Sequence, residues 1–77
     1  MDQSQLWEQT GRVVRLRFRD GEDVEARVLA TDAPSHAELT YEVIRIHRSG
    51  ERPNAGTSVG AVVVASTDDL AEWQAVE

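Results

Sequence analysis

The chain has 77 residues, with 14 acidic side chains against 8 basic ones and a formal net charge of −6 at pH 7. A chain this short buries only about 60% of its unfolded surface, so residues 1–77 are read as a single domain around one core. The acidic balance works against general phosphate binding. The lack of cysteine excludes disulfides and thiolate metal sites, and no run approaches the ~20 apolar residues of a membrane span.

Residues 1–9 carry neither the basic nor the apolar part of a signal peptide, and a cytoplasmic location is the expectation. Residues 2–10 predict a short N-terminal helix, counted as residues 1–10 of the domain. Gln3, Gln5, Leu6, Glu8 and Gln9 suit it, Asp2 or Ser4 can cap it, and Gly11 stands where a left-handed stop belongs. Such a helix is too brief to hold alone in water, so Leu6 and Trp7 must dock on a sheet.

Residues 13–19 alternate, with Val14, Leu16 and Phe18 on one face and Arg15, Arg17 and Arg19 on the other, the period of a half-buried strand. Turn chemistry follows at Asp20-Gly21-Glu22, and Val24, Ala26, Val28 and Ala30 resume the alternation. A two-residue loop would set Phe18 against Asp23. A three-residue loop at 20–22 pairs Phe18 with Val24, Leu16 with Ala26 and Val14 with Val28, keeping apolar residues together. It also sets Arg19 against Asp23 and Arg17 against Glu25, and it is the predicted register.

A polar connection broken by Pro34 leads to residues 39–48, where the alternation slips between Val43 and Ile44, as expected of a strand that bends or bulges. Residues 49–58 read as a flexible loop. The nearly continuous apolar run 59–65 predicts burial on both faces. Thr67-Asp68-Asp69-Leu70 has the form of a capped helical turn with acids in its first turn. Residues 71–76 fit either a helix, through Leu70 and Trp73, or a strand, through Ala71, Trp73 and Ala75; one turn and a short closing strand is the preferred reading. The fold class is mainly β, a five-stranded, strongly bent small barrel with a short N-terminal helix.

Arg15, Arg17 and Arg19 lie about 7 Å apart along one strand face and could track a phosphate backbone. Acids across the hairpin favour a salt-bridged, solvated face instead, and no aromatic is interleaved to stack bases. His36 and His47 could join Asp32 or Glu38 in metal or acid–base work, but their spacing fits surface loop histidines better. Asp68, Asp69 and Glu72 form an acidic cluster, and the capped first turn accounts for the two aspartates without calcium. The serines stand outside any nucleophile motif, and Gly50, Gly56 and Gly60 are too far apart to cradle a phosphate. No catalytic residue, metal ligand, cofactor or small-molecule substrate is therefore expected. Trp7 and Trp73 are expected to anchor the core or an interface. Val59, Val62 and Val64, with Trp73, are the candidate oligomer interface, because an apolar strand near the end of a small barrel either lies between neighbours or offers an edge to another chain.

The order of a helix, Gly-Arg-Val-Val-Arg-Leu-Arg-Phe-Arg-Asp-Gly over residues 11–21, then Val28, Asp32 and Leu39, a loop, an apolar strand and a closing segment resembles the Sm-like group of SH3-like small barrels. The resemblance spans residues 4–76. It implies one helix, a bent five-stranded barrel, and rings made by pairing the fourth strand of one subunit with the fifth of the next, many of which bind RNA. It places Asp32 at the family's loop aspartate and His36 at the position of an RNA-contacting asparagine. The family's arginine-glycine pair falls near Val59-Gly60, where only the glycine is present. With Arg15 and Arg17, these form the candidate RNA or anion contact. The expected function is a non-enzymatic interaction module that self-associates through strand edges, making a homo-oligomer. An RNA-binding Sm-like ring is the alternative, and a part of a larger assembly whose acidic surface meets a basic protein partner is a third reading.

Overall fold

Alternation of apolar and charged residues produces the hairpin of β1 (Val13–Phe18) and β2 (Asp23–Thr31) in the computed structural model, which describes residues 3–32, 37–52, 55 and 58–76. Val14, Leu16 and Phe18 are buried against Val24, Ala26 and Val28. The register pairs Leu16 with Val24, Val14 with Ala26, Arg17 with Asp23 and Arg15 with Glu25. It is displaced by two residues from the expected pairing of Phe18 with Val24.

A three-residue turn is present, but it occupies residues 19–21 rather than 20–22. The Phe18 N–H donates to the Glu22 carbonyl at 2.9 Å, and the Gly21 N–H donates to the Phe18 carbonyl at 3.1 Å. Gly21 takes φ 99°, a region that only glycine enters freely, so the chain reverses before Glu22. A slip of two keeps every side chain on its expected face, because the side-chain period is two.

β3 (Glu38–Arg48) pairs with β2, and its register jumps from Glu25–Arg45 to Ala26–Val43, leaving Ile44 as an extra residue. The slip in alternation at Val43 and Ile44 is thus a β-bulge. The pairing also skips His47 on β3 and Leu29 on β2. Bulges increase local twist and bend a strand. The extents of 28 × 24 × 21 Å fit a sheet curled around its core, since a flat sheet with its side chains is only about 10 Å thick.

β4 (Val62–Ser66) pairs with β3, a 3-10 turn (Thr67–Asp69) follows, and β5 (Leu70–Ala75) returns to pair with β1. The Ser66 hydroxyl caps the turn by accepting from the Asp68 N–H at 3.2 Å. The closing segment is therefore a strand, as preferred. The N-terminal helix is a 3-10 helix over Gln3–Gln9; it lowers Leu6 into the core at 2% exposure and ends at Gly11 with φ 86°.

The strand order is β4-β3-β2-β1-β5, one antiparallel sheet of five strands. The expected closure into a barrel is not made. Each strand runs antiparallel to its neighbour, so β4 and β5 point the same way, and closing the sheet would require a parallel pair. The expectation that residues 59–65 are buried on both faces is also corrected. Val63 and Ala65 are each 7% exposed, whereas Val62 and Val64 are 62% and 49% exposed, because β4 is an edge strand with only one face on the core. Among the described residues, no helix is long and apolar enough to cross a membrane.

Candidate functional site

Three groups of side chains are distinctive. The first is a polar cluster beneath the β1–β2 turn. Glu22 has the parity of Val24, Ala26 and Val28, which turns its carboxylate to the core face, where it is 1% exposed. The Tyr41 hydroxyl donates to Glu22 Oε2 at 2.8 Å, and the Arg52 guanidinium reaches Glu22 Oε1, the Tyr41 oxygen at 3.1 Å and Asp20 Oδ1 at 2.9 Å. The guanidinium also lies 4.0 Å from the centre of the Phe18 ring, and Phe18 stacks on Tyr41 at 5.6 Å. Asp20 accepts the N–H groups of Glu22, Glu51 and Arg52 at 3.2, 2.8 and 2.9 Å. Within the predicted flexible loop, residues 51 and 52 are tied to the hairpin by these bonds.

Burial by itself pushes the Asp20 carboxyl up. The N–H groups of Arg52, Glu22 and Glu51 and the Arg52 charge outweigh it, holding the group below its ordinary value. Burial, with Glu22 accepting its proton bond, raises the Tyr41 phenol well above the usual range. Burial also works against the Arg52 charge, and Glu22, Tyr41 and Asp20 overcome it, so the guanidinium is held charged more firmly than in water. All of this fixes structure. The cluster's hydrogen bonds are directed at its own members.

Because the folded-state Asp20 carboxyl is depressed, its contribution to stability is complete above the unfolded value of about 3.9 and is lost as pH falls through the lower folded value. Asp23 acts in the same sense: the Arg15 hydrogen bond depresses it against partial burial. Urea unfolding midpoints are expected to hold steady near neutrality and fall below about pH 4. Asp20→Asn is expected to lower the neutral midpoint and to shrink the acid-side fall.

The second group is the solvent face of the sheet. Arg15 forms two bonds of 2.8 Å to Asp23, and Arg17 lies 2.7 Å from Glu72 and 3.6 Å from Asp23. Arg19 donates to the Asp68 carbonyl at 3.0 Å. The expected pairs Arg19–Asp23 and Arg17–Glu25 are replaced because of the two-residue register shift. His47 meets Glu25 at 2.6 Å. Asp32 closes the β2–β3 connection, its Oδ1 accepting the Glu38 N–H at 2.6 Å. His36 lies outside the described residues. Among the described residues, no group of three or more His, Cys, Asp or Glu side chains is placed to hold a metal ion.

The third group is the outer edge at β4. The register aligns Ala30, Thr40 and Val64 in one row of the solvent face and Arg27, Glu42 and Val62 in the next. An open depression lined by Ala55, Ala61, Val62, Val63 and Val64 runs along this edge. Val59 is 67% exposed in the preceding turn, where Gly60 takes φ 90° and donates its N–H to the Val43 carbonyl at 2.7 Å. Trp73 is on β5, at the opposite edge, half-buried against the core. The candidate interface residues thus fall on two edges rather than one patch, and the candidate anion contacts Arg15 and Arg17 are not gathered with Asp32 or Gly60 on a single strand or turn.

Residue spacing could have revealed Glu22, which continues the core parity of β2 one step into the turn. Its partners Arg52 and Tyr41 carry no comparable signal, since the contact bridges 30 residues to Arg52 and 19 to Tyr41. No protein-family model, curated protein or solved structure matches the chain.

Proposed function

We propose that this chain is a non-enzymatic interaction module of the Sm-like or SH3-like small-barrel kind that self-associates through strand edges. The observation that carries the reading is β4: an edge strand of sequence Val-Val-Val-Ala-Ser with two exposed valines and no charge or proline. Edge strands that must stay single are usually blunted by charges, proline or bulges. The strand order supports the resemblance, since it puts the fourth and fifth strands at the two edges, where that group makes its subunit contacts. The alternative, an RNA-binding ring, would call on Arg15 and Arg17, which already have carboxylate partners.

Light scattering or sedimentation across a concentration series tests the reading. The wild-type chain is expected to exceed its monomer mass at tens of micromolar. Val64→Lys, which places a charge on the exposed face of the edge, is expected to return it to a monomer with an unchanged circular-dichroism spectrum. A wild type that stays monomeric throughout contradicts the reading.

A further inference from the structure

The geometry points to a closed two-fold dimer in which β4 pairs antiparallel with β4 of a second copy of this chain, an inference that rests on the strand-edge reading above and names its partner. The first support is the direction of the backbone groups. Val43 turns its N–H to the Ala61 carbonyl and its carbonyl to the Gly60 N–H, so it bonds toward the β4 side. Orientation alternates along a strand, so Tyr41 and Leu39 also bond toward β4, and their partners Val63 and Ala65 bond back. The N–H and carbonyl groups of Val62, Val64 and Ser66 therefore face away from β3, along the outer edge.

The second support is self-complementarity. In an antiparallel two-fold pair, Val62 can lie opposite the partner's Val64, and Val64 opposite the partner's Val62. Both are outward-bonding residues, so each pair exchanges backbone hydrogen bonds while β-branched side chains meet on one face. The same strand surface serves both copies, which closes the assembly at two.

The third support is charge. β4 has none, whereas β5, the other edge, carries Glu72 on its solvent face and an irregular pairing at Arg17/Phe18, both of which discourage strand addition. A chain of net charge −6 also repels its copy unless the acids stay apart. The solvent-face acids on β3 beside this edge are Glu42, opposite Val62, and Glu38, opposite Ser66. Two-fold pairing keeps both at least three strand spacings, about 14 Å, from the same acids of the partner. That exceeds a Debye length of about 8 Å at physiological salt. A five-residue edge makes a small contact, so the dimer is concentration-dependent.

The chain lacks cysteine, so an introduced thiol is its only one. Val62→Cys and Val64→Cys variants are mixed under mild oxidation, and a Val64→Cys with Gln74→Cys mixture serves as comparison, with native mass followed in parallel. The expected result is a disulfide-linked pair from the 62 and 64 mixture, several-fold in excess of that from the 64 and 74 mixture, with native mass stopping at two chains. Preferential linkage of 64 to 74, or masses above two, overturns the two-fold dimer while leaving strand-edge association standing. A monomer with no specific linkage overturns both.

Discussion

Arg52→Ala is expected to destabilise the fold by about 3–5 kcal/mol, the usual cost of removing one partner from a buried ion pair. Glu22 is fully covered and would lose its cationic partner, Asp20 would lose its guanidinium contact, and the Phe18 ring would lose its cation. For a domain with about 5–15 kcal/mol in total, such a loss lowers the melting temperature by more than about 10 °C. Thermal unfolding by circular dichroism reads it directly. Adding Glu22→Gln to Arg52→Ala should recover part of the loss, because the uncompensated charge is then gone. Failure to recover any would mean that guanidinium packing on Phe18 and Tyr41, rather than charge pairing, holds the cluster.

Gly50→Ala is expected to cost about 1–3 kcal/mol, in the range of overpacking a filled site. A Cβ at this position would meet Glu22 Cβ at 2.7 Å and collide with the Asp20 carboxylate. Asp20 cannot simply swing aside, since it accepts three backbone N–H groups and the Arg52 guanidinium. The two substitutions strike one network, so the double variant should lose less than the sum of the singles. Urea unfolding of the four proteins measures the coupling. Strict additivity would show that the glycine and the arginine act on separate parts of the fold.

The hairpin faces were legible because period-2 patterning depends on adjacent residues alone, and the Val43–Ile44 break marked a bulge for the same reason. The turn was harder. Reading Glu22 as a turn residue moved the loop one position along and displaced the register by two, although its parity with Val24 marked it for the core side. The apolar run before the closing turn misled in a different way. Hydrophobicity shows that a residue seeks cover, and only topology shows whether its own chain provides it; β4 ends at an edge with Val62 and Val64 outward. Barrel closure was likewise undecidable from pattern, because it depends on the relative direction of β4 and β5. The Asp20–Glu22–Tyr41–Arg52 cluster joins three separated stretches, and no local spacing announces that.

If a second copy covers the outer edge of β4, the backbone amides that point outward should know its concentration. Residue-resolved hydrogen exchange of the Val62 and Val64 amides should slow markedly from dilute to concentrated protein, while the outward Trp73 and Ala75 amides of β5 hold constant. Equal exchange at both concentrations, or protection that grows on β5 instead, would contradict the assignment of β4 as the contact edge.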